Sequence, residues 1–281
     1  MNSAQHASAP LHVLIAGGNS GIGLQAAREL SAAGHEVTLL GRDAAKGQRA
    51  VESMRDDPGK VTFLQGDLST HGGVREAANR ILATHGQLDA LVHTTGLLMD
   101  REERTVDGLH PMFAVSYLSR YHLTQLLLPQ LRKSQSPRVV MMTAKVSPDT
   151  PLDYAQFPDY RPFNFSKMRL PIQVANHHYA VHLATTEAGF STAVINAGAA
   201  KTDILRDSSW PTRAGAVLLG PVLFNSVATS AHNVVHAVSG PRWDSAIYWE
   251  KPGKFAVRTP IRINPAMAGE TARRSQEITN A

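Results

Sequence analysis

Residues 11–42 read LHVLIAGGNSGIGLQAARELSAAGHEVTLLGR. The apolar run 11–15 has the length of a buried strand. Gly17, Gly21 and Gly23 follow in G-x-x-x-G-x-G spacing. Ile22, Leu24, Ala26, Ala27 and Leu30 then recur at helical intervals, and 35–40 returns to a strand. Strand, glycine turn, helix and strand make the first half of a dinucleotide-binding unit. The glycines have a physical reason. A pyrophosphate lies against backbone N–H groups at a helix N-terminus, where the dipole favours negative charge. A Cβ in the turn would hold it off, and glycine reaches positive φ without strain. The alternative is a glycine turn with no ligand, but its place between a strand and a helix is the context that binding requires.

The alternation continues down the chain. A helix over 43–54 has Asp43 placed to cap it. Strands are expected at 61–64, 88–92, 139–143 and 191–196, with helices at about 73–84, 108–131 and 162–187. Pro171 should kink the last of these. Residues 245–250 read as a late edge strand, and Asn264-Pro265 opens a final helix with a cap and a first-turn proline. The fold class is α/β: a Rossmann-type doubly wound parallel sheet with helices on both faces and ligands at the carboxyl ends of its strands.

At 281 residues one domain over 11–281 is expected, preceded by a small, polar and disordered tail, 1–10. The absence of cysteine excludes disulfides, thiolate catalysis and cysteine metal sites. Residues 1–10 lack the charged start and apolar run of a signal peptide. The longest apolar region, 214–238, is interrupted by Pro221, Asn225, Ser230 and Asn233, so no membrane span is read there. A soluble, cytoplasmic protein is the expectation. The net charge of +5 comes without a basic stripe or an aromatic platform, which argues against nucleic acid.

The turn Ala16-Gly17-Gly18-Asn19-Ser20-Gly21-Ile22-Gly23 resembles the T-G-x-x-x-G-[IL]-G fingerprint of the short-chain dehydrogenase/reductase superfamily, with Ala16 for threonine. Residues 41–47, GRDAAKG, look like its retinol-dehydrogenase-like branch. The resemblance covers most of the chain. It implies that Gly17, Gly21 and Gly23 cradle the cofactor pyrophosphate, that Asn19, Ser20 and Ile22 also bind the cofactor, that Asp67 and Leu68 hold the adenine, and that Thr95, Gly96 and Thr202 line the cofactor. It also implies a homodimer or homotetramer. Asp67 could equally cap the helix that follows it. Strand 35–40 ends at Gly41-Arg42 where NAD-binding folds place an acid, so NADP(H) is expected, with Arg42 on the 2′-phosphate. The alternative is a solvated Arg42 with Asp43 on the ribose.

The same resemblance makes the catalytic positions anomalous. Relatives use a tyrosine to move the proton, a lysine four residues later to lower its pKa and bind ribose, a strand serine to polarise the carbonyl, and an asparagine in a proton relay. Lys167 matches the lysine, but the other three positions hold Phe163, Ala144 and Ser116. Residues 93–96, HTTG, keep only the glycine of the usual Asn-Asn-Ala-Gly. Phenylalanine has no proton to give to an alkoxide. Two readings follow. In the first, Tyr160, seven residues before Lys167, serves as proton donor or oxyanion partner. That spacing resembles the enoyl-acyl-carrier-protein reductases, which reduce a conjugated C=C bond, as does the run Val92-His93-Thr94-Thr95-Gly96. Ser116 and Lys167 would complete the site, and the substrate would be a small apolar carbonyl or conjugated compound. Pro162 places Tyr160 in a loop before the helix, Tyr154 is a further candidate, and a plain loop aromatic is the alternative. In the second reading the chain keeps the cofactor fold but performs no redox step, acting as a regulator, scaffold or non-redox catalyst.

His178 and His182 stand four apart on a helix, with His177 adjacent. Such a pair can bind a metal, but no Glu completes the pattern, so no metal site is assigned and these are read as interface or surface histidines. Residues 205–238, rich in apolar side chains such as Trp210, Leu218 and Phe224, correspond to the family's substrate lid. Core packing or a dimer face is the alternative.

Overall fold

The computed structural model of the protein describes residues 9–147, 150–196, 226–243, 245–254 and 258–280. Among them eight strands form one sheet. In chain order these are β1 His12–Ala16, β2 Glu36–Gly41, β3 Val61–Gln65, β4 Ala90–His93, β5 Arg138–Thr143, β6 Ser191–Asn196, β7 Ile247–Trp249 and β8 Arg258–Pro260. Across the sheet the order is β3-β2-β1-β4-β5-β6-β7-β8, parallel throughout except for the antiparallel β7–β8 pair. Ala16 at the end of β1 is in register with Leu40 on one side and His93 on the other. Winding reverses here, so the carboxyl ends of β1 and β4 border the switch-point crevice where α/β sheets bind ligands.

The helices are α1 Gly21–Ala32, α2 Ala44–Glu52, α3 His71–Thr84, α4, α5 Phe165–Thr186, α6 Val227–Ser239 and α7 Pro265–Thr279. Helix α4 begins at Pro111–Phe113, widens through a π-helical turn, Ala114–Leu118, and continues as Ser119–Leu131. Alternate residues of each strand serve opposite faces. Val13, Ile15, Val37 and Leu39 pack under Ala26, Leu30, Ala231 and Val234 of α1 and α6. Leu14, Ala16 and Leu40 join the larger core with α3, α4, α5 and α7. Both faces are therefore covered, as a parallel sheet requires.

Local chemistry sets the element starts. Asp43 caps α2 by accepting the Lys46 N–H, and Asn264 caps α7 ahead of Pro265. Thr70, not Asp67, caps α3 by accepting the Gly73 N–H, so that alternative for Asp67 is set aside. Asn164 accepts the Lys167 N–H and starts α5 at Phe165, three residues later than 162. Helix α5 continues through Pro171.

Three expectations need correction. The late strand is not the edge: β7 lies between β6 and β8, and β8 escapes sequence reading because it is three exposed residues long. His177 and His178 are not at the surface; they are 3% and 1% exposed. Helix α7 packs over this face of α5, and His178 Nδ1 lies 2.8 Å from Thr271 Oγ1. The stretch 205–238 is not one lid: 227–238 belongs to α6, buried against α1. Residues 205–225, with Ala197, Gly198 and Thr202, lie outside the described residues.

Candidate functional site

The glycine turn is built for close approach. Gly17 has φ +88° and Gly21 φ +53°, both in the left-handed region that favours glycine. A Cβ on Gly17 would fall 2.7 Å from Thr94 Oγ1 and 2.8 Å from the Thr95 nitrogen. One on Gly23 would fall 2.6 Å from the Gly17 oxygen, so helix and turn meet here backbone to backbone. Thr94 seals the contact by donating its hydroxyl to the Ala16 carbonyl, 2.9 Å. Ser20, at the N-cap of α1, is extended and its side chain caps nothing, and the first turn carries no acid. The helix N-terminus keeps its N–H groups and positive dipole end for an anion. A pyrophosphate fits this arrangement. Ile22, just inside the helix, is buried.

Beyond β2, a Cβ on Gly41 would meet the Asn19 side chain at 2.6 Å, and Asn19 Nδ2 donates to the Asp43 carbonyl at 3.2 Å. This brings the glycine turn and the end of β2 together. Arg42 is exposed and its carbonyl accepts from Gln65 Nε2. Asp43 has its carboxylate engaged as the α2 cap, and the Lys46 N–H holds its pKa below the usual aspartate value. Asp67 is exposed, with Oδ1 accepting the Ser69 N–H at 2.9 Å, while Leu68 beside it is buried.

Every substituted catalytic position has structural work. Phe163 stacks flat on His110, with centroids 4.5 Å apart and planes 8° from parallel. His110 Nδ1 accepts the Met112 N–H, so Nε2–H donates to the Arg101 carbonyl at 3.1 Å, and the imidazole is a fixed neutral tautomer. Ala144 offers its carbonyl to His177 Nε2–H at 3.2 Å, and burial pushes His177 down to about 4. Ser116 lies in the π-helical turn of α4, where its hydroxyl accepts the Leu97 N–H at 3.0 Å. Such turns often mark functional sites.

Lys167 is exposed in the first turn of α5. Tyr160 is 5% exposed in the loop before it, in the same core as Phe113, Tyr117 and Phe157. Its hydroxyl is buried without a hydrogen-bond partner, and desolvation pushes the phenol well above its ordinary pKa. Tyr154 is committed elsewhere, its hydroxyl 2.8 Å from the Met267 carbonyl on α7. Thr95 Oγ1, beside Gly96, is likewise buried and unpartnered. The structure brings Gly17, Gly21, Gly23, Thr94 and Thr95 together around the crevice. Among the described residues no hydrogen bond joins Tyr160, Lys167 and Ser116 to one another.

One constellation escaped the sequence reading. Arg120 of α4 is 3% exposed. Its Nη1 donates to the Met142 carbonyl at 2.8 Å and to Asn176 Oδ1 at 2.9 Å, and its Nη2 donates to the Thr95 carbonyl. Asn176 Nδ2 in turn donates to the Ser116 carbonyl at 3.0 Å. The available signal was a charged residue one turn after Ser116 on a helix that is otherwise buried on that side.

The short chain dehydrogenase family profile matches residues 11–157. Polyprenol dehydrogenase of Homo sapiens is 27% identical over 255 residues, 86% of this chain and 77% of its own length. Retinol dehydrogenase 12 of Mus musculus is 37% identical over 134 residues, 47% of this chain and 42% of its own. Among solved structures, a protein of Mycobacterium paratuberculosis superposes with a TM-score of 0.72 at 21% identity, over 98% of this chain and 97% of that one. A short chain dehydrogenase of Shigella flexneri 2a in complex with NADP superposes with a TM-score of 0.64 at 20% identity, over 86% of this chain and 97% of that one.

Proposed function

The chain belongs to the short chain dehydrogenase family, oxidoreductases that bind a nicotinamide cofactor, and we propose that it binds NADP(H) and reduces a small apolar substrate, preferentially at a conjugated C=C bond. The observation that carries this reading is the glycine cradle against an uncapped α1 N-terminus, in which a single added Cβ would collide with Thr94. Arg42 is exposed at the end of β2 while Asp43 is occupied as a cap, which favours a 2′-phosphate over a bare ribose. The relatives are named for polyprenol and retinol, both apolar isoprenoid alcohols, in keeping with an apolar substrate.

The cofactor supplies hydride. Gly17, Gly21 and Gly23 would cradle its pyrophosphate, Arg42 would hold the 2′-phosphate, Asp67 and Leu68 the adenine, and Lys167 the nicotinamide ribose, with Asn19, Ser20 and Ile22 also binding the cofactor. Thr95 and Gly96 would line the crevice. Tyr160 would donate its hydrogen bond to the substrate oxygen as negative charge develops there. A phenol whose pKa is raised by burial stays protonated and suits that role better than proton transfer to an alkoxide. Oligomeric assembly belongs to the same proposal.

A second reading, a cofactor binder with no redox step, is favoured by one observation: the tyrosine position is filled by Phe163 in a flat stack on His110. Titration with NADPH and NADH, followed by nicotinamide fluorescence, and then a screen of enones and ketones for NADPH consumption, separates the two. Tight NADPH binding with enone turnover that Tyr160→Phe abolishes supports reduction. Binding without turnover of any enone or ketone supports the second reading, and binding of neither nucleotide refutes both cofactor assignments. Unchanged enone turnover in Tyr160→Phe removes that residue from the mechanism.

A further inference from the structure

Among the described residues, Arg120 is a buried cation without a counter-anion. Its acceptors are two backbone carbonyls and one amide oxygen, and no carboxylate is among them. Burial lowers its pKa to about 9, so it remains charged at neutral pH. The neighbouring titratable group is His93, itself 1% exposed, and desolvation holds it well below the usual histidine pKa, so it stays neutral. The tautomer is fixed: Thr124 donates its hydroxyl to the Arg120 carbonyl at 2.7 Å and therefore accepts from His93 Nε2–H at 2.9 Å. A charge left in this state is expensive. Its position gives the expense a use.

The carbonyl of Thr95 follows β4 and that of Met142 is the penultimate one of β5. Asn176 extends the same network to α5 and to the Ser116 carbonyl. Arg120 therefore lies beneath the carboxyl ends of the strands on the far side of the switch point from β2 and β3. In a doubly wound sheet a dinucleotide spans that point, one mononucleotide on each half. The half opposite the adenosine receives the nicotinamide. The ring is neutral when reduced and cationic when oxidised, and the hydride acceptor gains negative charge as the ring loses its hydride.

We propose that Arg120 is a positioning residue for the nicotinamide half of the crevice: one guanidinium ties Thr95, Met142 and Asn176 into its floor and lends it a fixed positive charge that favours the reduced ring over the oxidised one. This rests on the cofactor reading above. A brace alone would affect both redox forms of the cofactor equally, whereas a charge distinguishes them. The wild-type protein should bind NADPH more tightly than NADP⁺ by about tenfold, the order of effect that one buried unit charge exerts on another across a protein interior.

The test is the ratio of dissociation constants for NADPH and NADP⁺, measured by calorimetry on the full chain without substrate. Arg120→Met, similar in volume and uncharged, should bring the ratio close to one. Arg120→Lys, which keeps the charge but not the fork, should weaken both forms and keep the ratio. Equal wild-type affinities overturn the inference without needing any variant to fold. A wild-type ratio that survives Arg120→Met also overturns it and leaves Arg120 a brace. If wild type binds neither form, the cofactor reading itself falls and takes this inference with it. Binding of both forms with equal affinity refutes only the role of Arg120.

Discussion

Gly17→Ala and Gly34→Ala differ in one physical respect. Both glycines sit at nearly the same left-handed backbone angle, φ +88° and φ +89°. An L-residue there costs about 1–2 kcal/mol. Nothing lies within 4 Å of a Cβ placed on Gly34, so strain is the whole effect at that site. At Gly17 the new methyl meets Thr94 Oγ1 at 2.7 Å and the Thr95 nitrogen at 2.8 Å, and the latter is backbone held by its hydrogen bond to the Ala16 carbonyl. Overpacking of that kind adds about 1–3 kcal/mol. Gly17→Ala should therefore lose about 2–5 kcal/mol and Gly34→Ala about 1–2 kcal/mol. Urea unfolding of the two variants beside wild type measures the difference directly. The same samples, titrated with NADPH, should show wild-type binding for Gly34→Ala and a large loss for Gly17→Ala, whose methyl would push Thr94 and Thr95 away from the glycine turn. A Gly17→Ala protein as stable as Gly34→Ala, or one that binds NADPH as wild type does, would refute the steric reasoning for the cradle.

Other outcomes follow from the same structure. Arg42→Ala should weaken NADPH binding about 10- to 100-fold, the worth of a charged hydrogen bond, and leave NADH unchanged; an equal loss for both nucleotides would remove Arg42 from the 2′-phosphate. Gly269→Ala, inside α7 with open space around its Cβ, should stabilise by about 0.5–1 kcal/mol in thermal melts, and any destabilisation contradicts it. His122, His177 and His178 are each held at about 4 by burial, against an ordinary 6.5. The unfolded chain protonates first, so stability present above pH 6.5 should fall as pH drops toward 4, at up to about 1.4 kcal/mol per pH unit for each; equal urea midpoints at pH 7 and pH 5 would contradict this. Phe163→Tyr alone should not confer ketone reduction, because Ala144 leaves the carbonyl without its second donor; measurable ketone turnover by that variant would show that the neighbouring substitutions do not matter.

What could be read ahead of the structure was local. The glycine spacing, the Asp43 cap and the Asn264-Pro265 start are each decided within a few residues, and each is found where expected. The sheet followed because alternating strands and helices admit few windings. What could not be read depends on partners distant in sequence. His178 carries no mark of burial until α7 closes over it, with Thr271 93 residues further on, and His177 none until Ala144 and Tyr248 meet it. Arg120 looks like one charge on a helix until Asn176, 56 residues later, and the β5 carbonyl arrive beside it. The stack of Phe163 on His110 joins two loops that share no sequence pattern. Strand β8 failed for the opposite reason: three exposed residues give no periodicity to detect.

The substituted catalytic positions are best understood together. Phe163 packs on an imidazole, the Ala144 carbonyl anchors His177, and the Ser116 hydroxyl holds the loop after β4, so each has structural work of its own. Their effect on chemistry depends on the base that hydride transfer creates. Hydride added to a ketone leaves an alkoxide, strongly basic, which needs a proton as it forms. Hydride added to a conjugated C=C bond leaves an enolate, a far weaker base whose charge is spread onto oxygen. It can be held by a neutral hydrogen-bond donor and take its proton from water at carbon. The loss of an acidic tyrosine is severe in the first case and tolerable in the second. Burial makes the Tyr160 hydroxyl a poorer acid without making it a poorer hydrogen-bond donor. The substitutions that argue against ketone chemistry thus weigh less against reduction of a conjugated bond, which is why the latter is the step proposed for this chain.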